Sequence, residues 1–355
     1  MPAHRSPLVI GHRGAPGYRP EHTAAAYELA FELGTDAVEP DIVATRDGVL
    51  VLRHENELSG TTNVAEHPEF AARRTTKEVD GVPLTGWFAE DFTWAELSGL
   101  RSRERIPSLR QGSATFDDRY PLLRLADLLD LIDRASDAAG HQLGMVAELK
   151  HATYFEAAGL PLDELFAAEL AAAGWSEHPG LIVESFERTV LTRLYERGFR
   201  GKRVYLVDSD GAPADRVAAM GTDAPGYSSD LAPRGLYALS SAPALAERVD
   251  GISVGTELIL RAGSVSLGLF GEDEGGTDIG SVTSDLVDLA HLAGLSVYCW
   301  TLRPENGMLP EPFRGPGRSE EWGDWRRLYT VLLRSGVDGV FADHPDLAVA
   351  VRDGR

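Results

Sequence analysis

Eight short apolar segments, most of them separated by segments with a helical pattern, constrain the fold of this chain more than any other feature. The segments begin near residues 8, 37, 144, 181, 203, 249, 295 and 337. Eight alternating β/α units predict a TIM-type (β/α)8 barrel of the α/β class. The 355 residues suit one barrel with insertions, so we interpret residues 1–355 as a single domain. A doubly wound open sheet is the alternative, but no Gly-x-Gly-x-x-Gly motif follows any of these segments.

Helical periodicity fills several of the gaps between the apolar segments. The predicted helices are Glu21–Leu33, Leu122–Ala139, Leu162–Ala173 and Arg188–Arg197. Three further stretches are rich in turn-forming residues and are predicted to be loops: Ser209–Pro233, residues 263–283 and residues 303–325.

Residues 56–120 show no regular period and carry scattered charges and prolines. We interpret them as a small insertion after the second strand, with one short helix near Thr93–Leu100. A stretch of this length inside a compact domain is usually functional and often a lid. Its aromatic residues are expected to shield the site from water and to affect specificity more than catalysis. These residues are Trp87, Phe88, Phe92 and Trp94.

The composition limits the classes of partner that the chain can have. The formal net charge of −21 disfavours nucleic acid and anionic membranes as partners. The single cysteine, Cys299, excludes an intrachain disulfide. The sequence shows neither a signal peptide nor an apolar stretch that could span a membrane. It therefore predicts a cytoplasmic protein without stable membrane insertion, or a periplasmic or secreted one if a leader has been removed.

An Asp-Gly pair at positions 47 and 48 lies between two apolar runs and predicts a β-hairpin over residues 37–55. Glu39 and Asp41 lie two residues apart on its first strand and therefore share one face. Two desolvated carboxylates repel each other unless a cation joins them. A metal ion is the simplest solution, with His54 nearby as a proton carrier. A solvated strand face with a surface histidine remains the alternative.

The length of the turn leaves two registers open for this hairpin. A loop of residues 46 and 47 would place His54 opposite Glu39. A loop of residues 47 and 48 would place it opposite Asp41. In either register an imidazole lies beside a carboxylate of the pair.

Further charged side chains stand at the ends of the first and third predicted strands. His12 and Arg13 follow the first strand, and Glu148 and Lys150 share a face at the end of the third. The carboxyl ends of barrel strands usually carry the chemistry. Together with the hairpin, they give three carboxylates, two histidines, an arginine and a lysine. Oxygen ligands suit Mg²⁺ or Ca²⁺, the histidines suit acid–base work, and the cations suit a phosphate. The set indicates metal-assisted phosphodiester cleavage.

These motifs, in this order, resemble the glycerophosphodiester phosphodiesterase family, and in particular its longer, often periplasmic branch. The resemblance covers nearly the whole chain. The matching motifs are His12-Arg13-Gly14, Pro20-Glu21-His22-Thr23, Glu39-x-Asp41, Asp47-Gly48, His54-Glu55, Glu148-x-Lys150, Ser185-Phe186, Trp300-Thr301 and the run from Asp338 to Asp346.

The resemblance implies a TIM-type barrel that hydrolyses glycerophosphodiesters to an alcohol and sn-glycerol 3-phosphate. It implies a divalent metal, Ca²⁺ or Mg²⁺, on Glu39, Asp41 and Glu148. It assigns His12 and His54 as acid and base. It places Arg13 and Lys150 near the phosphate, and we expect Trp300, Ser185 and Phe186 to line the substrate pocket.

The chain departs from the family pattern at four positions. Glu55 stands where Asp is frequent, His22 where many members have Asn, and His344 where Tyr is common. Glu184 precedes Ser185 where a neutral residue is frequent. None of these changes removes an expected catalytic group, but Glu184 and His344 are expected to affect substrate choice.

Two alternatives to this function remain open. One is a related phosphodiesterase acting on lysophospholipids or teichoic-acid-like polymers. The other is a catalytically silent binding barrel. The sequence also leaves open the head group, the oligomeric state, and whether water or the neighbouring glycerol 2-hydroxyl attacks the phosphorus.

Overall fold

The computed structural model describes residues 6–260 and 283–355. The strands are rich in β-branched and aromatic residues, which favour extended backbone. They are Leu8–His12 (β1), Ala37–Glu39 (β2), Asp41–Ala44 (β3), Leu50–Leu52 (β4), Thr75–Val79 (β5), Val82–Gly86 (β6), Gly144–Leu149 (β7), Leu181–Ser185 (β8), Lys202–Val207 (β9), Gly251–Gly255 (β10), Ser296–Leu302 (β11) and Gly339–Ala342 (β12).

The helices pack around these strands. They are Ala24–Glu32 (α1), Trp94–Leu97 (α2), Gln111–Ala114 (α3), Leu125–Ala139 (α4), Ala152–Ala157 (α5), Leu162–Ala173 (α6), Arg188–Glu196 (α7), Ala214–Met220 (α8), Ser228–Leu231 (α9), Pro233–Ser240 (α10), Thr256–Ile259 (α11), Leu286–Leu292 (α12), Trp325–Arg334 (α13) and Pro345–Arg352 (α14). The four predicted helices correspond to α1, α4, α6 and α7. Among the described residues, none of the helices is long and apolar enough to cross a bilayer.

The strands close into a parallel barrel, which confirms the predicted fold class. β1 pairs with β2 on one side and with β12 on the other, and β7 pairs with both β2 and β3. β2 and β3 together form the second barrel strand, which Pro40 interrupts because proline has no backbone N–H to donate. All eight predicted strands are present. The closure excludes the open doubly wound sheet.

Alternating residues on the barrel strands fill its interior and then form its open end. The interior core consists of Ile10, Ala37, Val146, Ile182, Val204, Tyr298 and Phe341. Because strand side chains alternate with a period of two, the residue two positions later points to the same side. Those later residues are His12, Glu39, Glu148, Glu184, Leu206, Trp300 and Asp343, and all of them line one cavity. The apolar layer thus supports a polar layer at the carboxyl ends of the strands.

The hairpin forms where it was predicted, but in neither of the two predicted registers. Val43 pairs with Val51, which leaves a loop of three residues, 46–48. Gly48 has φ +77°, and this left-handed residue adds the bulge typical of a three-residue hairpin loop. β4 ends at Leu52, so His54 lies beyond the ladder and opposite neither of the two carboxylates.

The insertion, residues 56–120, has more regular structure than its sequence predicted. The short helix α2 confirms the one expected helix. The insertion also contains the hairpin β5–β6, which was not predicted. Its two-residue turn at Asp80 and Gly81 has positive φ at both positions, as a type I′ turn requires. The Asp-Gly signal was therefore present in the sequence, without the apolar alternation that usually accompanies it.

The outcomes for the three predicted loops differ. Ser209–Pro233 was wrongly predicted to be a loop, because it contains α8 and α9. Alanine and methionine in α8 favour helix despite the neighbouring glycines and prolines. Residues 303–325 are a loop with one short 3₁₀ turn at Glu311–Phe313, as predicted. The third stretch, residues 263–283, lies outside the described residues except for its last position.

Gly14 lies in the turn after β1 and packs closely against α1, so its substitution tests this packing. Gly14 has φ +94°, and a Cβ there would lie 2.6 Å from the carbonyl carbon of Ala26. We expect Gly14→Ala to lower the free energy of unfolding by about 2–5 kcal/mol, from left-handed strain and overpacking together. Gly34→Ala is the matched control: φ is +90°, but the nearest atom, on Val349, is 3.7 Å away. Urea unfolding should show a clearly smaller loss for the control, and equal losses would contradict this packing.

Candidate active site

The carboxyl ends of the strands surround a cavity of about 330 Å³. Most of the residues in its wall have charged or polar side chains, and the others are apolar or aromatic. It brings together seven of the ten predicted site residues, namely His12, Arg13, Glu39, His54, Glu148, Phe186 and Trp300. The described residues also place Glu184, Asp343, Arg105 and Arg110 there.

Three buried glutamates form a carboxylate cluster in this cavity. One oxygen from each of Glu39, Glu148 and Glu184 lies within 4.8 Å of the others. Burial raises the pKa of Glu148 to about 7, although Lys150 acts in the opposite direction. Burial, followed by neighbouring carboxylates, also raises the pKa of Glu39 and of Glu184 well above the ordinary range. Without a cation these side chains therefore retain protons at a pH where exposed glutamates are ionised.

Asp41, the remaining predicted ligand, lies next to the cluster but has a different environment. Its Oδ2 is 3.0 Å from Nε of Arg13 and 3.0 Å from Nε2 of His22. Its Oδ1 is 3.7 Å from Nζ of Lys150. Burial disfavours the charge, but Arg13, His54 and Lys150 together hold the pKa of Asp41 well below its usual range. Asp41 therefore stays ionised and anchors both predicted phosphate-binding cations.

His12 is oriented by a carboxylate from the last barrel strand. Its Nδ1 is 2.6 Å from Oδ1 of Asp343. Burial, and then the charge of Arg13, lower the pKa of His12 to about 4, although Asp343 acts in the opposite direction. The imidazole is therefore neutral near pH 7. With Nδ1–H donated to Asp343, its Nε2 is left as a proton acceptor.

His54 has a similar arrangement on the hairpin side of the cavity. Its Nδ1 is 2.6 Å from Oε1 of Glu55. One third of its side chain is exposed, so it is more accessible than His12. Burial and the charges of Arg13 and Lys150 lower the pKa of His54. Both predicted catalytic histidines thus have a carboxylate on Nδ1.

The two predicted phosphate-binding residues are both tied to carboxylates. Nη1 of Arg13 is 3.2 Å from Glu21, and its backbone N–H donates to Oε2 of Glu39 at 2.9 Å. Nζ of Lys150 is 2.7 Å from Oε1 of Glu148. Lys150 lines a second, larger cavity of about 590 Å³ beside the first, and Glu148 lies in the wall of both.

The predicted pocket residues separate into two groups. Trp300 and Phe186 contact each other edge to face, with ring centroids 6.0 Å apart, and both line the active-site cavity. Nε1 of Trp300 is buried without a hydrogen-bond partner among the described residues. Ser185 does not line this cavity. Its hydroxyl donates to the carbonyl of Leu149 at 2.9 Å, because odd positions of β8 face away from the interior.

The aromatic residues of the insertion do not cover the site, so that part of the prediction is wrong. Trp87, Phe88 and Phe92 are buried, and neither they nor Trp94 lines the active-site cavity. Nε1 of Trp87 donates to the carbonyl of Phe70 within the insertion. Trp87 and Phe92 belong to the main hydrophobic core of the protein, and Trp94 packs against it. Charged side chains of the insertion reach the cavity instead.

A comparison with known families now identifies the chain. Residues 12–347 match the glycerophosphoryl diester phosphodiesterase family. The chain belongs to this family. It is therefore a hydrolase, as the sequence motifs predicted.

Relatives of this phosphodiesterase cover nearly its whole length. A glycerophosphodiester phosphodiesterase of Arabidopsis thaliana is 28% identical over 95% of this chain and 83% of its own. One from Haemophilus influenzae is 25% identical over 96% of this chain and 88% of its own. An Oleispira antarctica phosphodiesterase, solved with its product sn-glycerol-3-phosphate, has a TM-score of 0.59 at 19% identity and covers 98% of this chain and 97% of its own. This structural likeness supports the barrel fold.

Two features of this phosphodiesterase show that the carboxylates fit the divalent metal that the family resemblance implies. The donors are all carboxylate oxygens, which suit Ca²⁺ and Mg²⁺. Oδ1 of Asp41 and Oε2 of Glu184 are buried and have no hydrogen-bond partner among the described residues. Ser253 is near enough to lower the pKa of Glu184, but its hydroxyl makes no hydrogen bond of normal geometry. Unpaired buried oxygens of this kind are costly unless a cation or water meets them.

Glu184 and Asp343 were not predicted to be site residues, although the alternation of side chains along their strands places both at the site. Glu184 follows Ile182 just as Glu148 follows Val146 on the neighbouring strand. Asp343 follows Phe341 in the same way. Arg105 and Arg110 lie in an irregular segment, so no local pattern indicated their position.

The raised pKa values predict that divalent cations stabilise the protein more at high pH than at low pH. Between the ordinary pKa of 4.5 and about 7, folded Glu148 retains a proton that the unfolded chain has released. Stability in chelator should therefore fall as pH rises through this window. Bound Ca²⁺ or Mg²⁺ removes that loss because the cation favours the ionised carboxylates.

Thermal unfolding at about pH 5.5 and about pH 8, with chelator or with cation, measures this effect. We expect the cation to raise Tm more at the higher pH. NaCl at matched ionic strength is the control for screening. An equal increase at both pH values would contradict the assignment of these protonated carboxylates.

Proposed function

We propose that this protein hydrolyses glycerophosphodiesters to an alcohol and sn-glycerol 3-phosphate, with a bound divalent metal and with His12 and His54 as acid and base. One observation carries the proposal: two histidines, each with Nδ1 bonded to a carboxylate, line the same cavity as three clustered glutamates. The product complex of the Oleispira antarctica phosphodiesterase supports the choice of product.

The proposed metal ligands are the three predicted residues, Glu39, Asp41 and Glu148, together with Glu184. Glu184 is added because one of its oxygens lies within 4.8 Å of those of Glu39 and Glu148, and its Oε2 is buried without a hydrogen-bond partner among the described residues. We propose Ca²⁺ or Mg²⁺, since the donors are carboxylates only. When bound, such an ion neutralises the charge that develops on the phosphate oxygens.

The substrate phosphate would lie between the carboxylate cluster and the two histidines. Arg13 lines this space and Lys150 contacts Glu148 in its wall, and their charges favour an anion there. Both cations are already paired with carboxylates, which fixes their positions before substrate binds. Electrostatic groups fixed in advance lose little free energy to reorganisation during the reaction.

The two histidines begin in the same protonation state but need opposite roles. Both pKa values are lowered, so both rings are neutral near pH 7 in the free protein. A neutral ring can accept a proton from the nucleophile at once. The other ring must take up a proton before it can protonate the leaving alkoxide. The negative charge of the bound diester favours this uptake, and Asp343 or Glu55 stabilises the resulting imidazolium.

The cavity favours a small, polar diester over a lipid. Its wall carries charged groups from the strands and from the insertion. Among the described residues of the insertion, Val82 is the only large hydrophobic side chain that is highly exposed. The apolar rim expected for a lysophospholipid hydrolase is thus not found in the described part of the insertion.

Replacing either histidine tests the proposed roles. We expect His12→Ala and His54→Ala each to lower kcat by about 10²–10⁴-fold, the usual contribution of general acid–base catalysis. Divalent-metal affinity, measured by calorimetry without substrate, should change little. His67→Ala is the matched control, because Nδ1 of His67 also bonds a glutamate, Glu69, but on the surface. Turnover close to wild type in either histidine variant would refute its assigned role.

A further inference from the structure

Each proposed catalytic histidine is held by a carboxylate that an arginine of the insertion binds in turn. On the His12 side, Nδ1 is 2.6 Å from Oδ1 of Asp343. Nη2 of Arg110 is 2.5 Å from the other oxygen of the same carboxylate. Arg110 also binds Glu305 through Nε at 2.6 Å, and only 5% of its side chain is exposed. The guanidinium is thus fixed between two carboxylates.

The His54 side repeats this arrangement. Nδ1 of His54 is 2.6 Å from Oε1 of Glu55. Arg105 binds both oxygens of Glu55, through Nη1 at 2.8 Å and Nη2 at 2.7 Å. Its Nε and Nη2 also bind the two oxygens of Glu21 at 2.7 Å each. Glu21 in turn contacts Arg13, one of the proposed phosphate-binding residues.

The segment that carries both arginines is a folded turn of the insertion. The backbone N–H of Arg110 donates to the carbonyl of Ile106 at 3.0 Å. The side chain of Glu104 accepts from the backbone of Ile106 at 2.9 Å, and the backbone N–H of Glu104 donates to Asp117 at 2.7 Å. Arg105, Ile106 and Arg110 all line the active-site cavity. One short segment therefore reaches both histidines.

Such contacts fix the direction of a carboxylate more firmly than single hydrogen bonds. The guanidinium fork of Arg105 holds Glu55 at both oxygens, which leaves that carboxylate one orientation. Asp343 is held similarly, since Arg303 Nε lies 2.7 Å from the oxygen that binds Arg110. A histidine ring that donates to a fixed carboxylate has one tautomer and one orientation. Small displacements of catalytic groups are costly for rate.

We propose that Arg105 and Arg110 are positioning residues, and that the insertion completes the active site by fixing the carboxylates that orient His54 and His12. The proposal rests on the catalytic roles proposed above for the two histidines. It reverses the expectation drawn from the sequence, in which the insertion affects specificity and leaves catalysis largely intact. Loss of these arginines should lower kcat more than it raises KM.

The experiment compares Arg105→Ala and Arg110→Ala with Arg103→Ala. Arg103 is a matched control because it also belongs to the insertion, also binds two carboxylates, Glu66 and Asp118, and has 28% side-chain exposure against 30% for Arg105. We expect about a 10²-fold loss of kcat for Arg105→Ala and Arg110→Ala, with KM changed only a few-fold. Arg103→Ala should keep wild-type kcat.

A double variant, Arg105→Ala with His54→Ala, distinguishes an effect of Arg105 on the position of His54 from a general effect on how the insertion is attached. If Arg105 acts through His54, then Arg105→Ala should cause little further loss in a His54→Ala background, because effects within one unit are not additive. Methylguanidine should partly restore kcat to Arg105→Ala, whose site is open enough to admit it. Tm and calorimetric metal affinity establish that the variants are folded. Since buried Arg110 contributes more to stability, Arg105 decides the outcome if Arg110→Ala fails to fold.

Two results would overturn the inference. One is a folded Arg105→Ala protein with the kcat of Arg103→Ala. The other is a full additional loss in the double variant, which would show that Arg105 acts by a route other than His54, such as Glu21 and Arg13. Both are distinct from failure of the proposed function, because that failure requires His54→Ala itself to retain wild-type turnover in the same assay.

Discussion

Mutual repulsion among four buried carboxylates is the constraint on which the rest of this site depends. Glu39, Asp41, Glu148 and Glu184 come from adjacent barrel strands, so the closed sheet forces their side chains into one small volume. Asp41 is ionised because cations surround it, whereas burial raises the pKa of each of the three glutamates. The fold therefore favours a positive charge at the site where we propose that the phosphate binds. A divalent cation would neutralise these carboxylates and would at the same time attract the substrate anion.

Around this cluster, acidic and basic side chains alternate. The histidines lie against carboxylates, and these lie against arginines of the insertion. Alternation lets many charged groups be buried together, since each desolvated charge has an opposite partner. It also makes the geometry of the cavity cooperative, because moving one partner leaves the next unpaired. The insertion is part of this network, and backbone hydrogen bonds together with Glu104 and Asp117 hold its charged segment in place.

Local sequence pattern was sufficient for the barrel and for much of the site, and insufficient wherever distant segments meet. The eight strands were predictable because buried parallel strands are short apolar runs. The hairpin register was wrong because loop length, which Gly48 sets through its left-handed backbone, is not visible in apolar periodicity. Glu184 was predictable from the strand period but was interpreted only as a family departure. Arg105 and Arg110 contact residues far away in sequence from an irregular segment, so nothing local could have placed them.

We propose that this protein hydrolyses glycerophosphodiesters with the help of a metal, and a coupled assay for sn-glycerol 3-phosphate tests this reaction. The purified protein would be incubated with several glycerophosphodiesters, first in chelator and then with Ca²⁺ or Mg²⁺ restored. We expect release of sn-glycerol 3-phosphate that stops in chelator and returns with Ca²⁺, with Mg²⁺ or with both. Full activity in excess chelator, with no metal found in the protein, would contradict the role of the carboxylates. No release from any of these diesters with metal bound would contradict the proposed reaction itself.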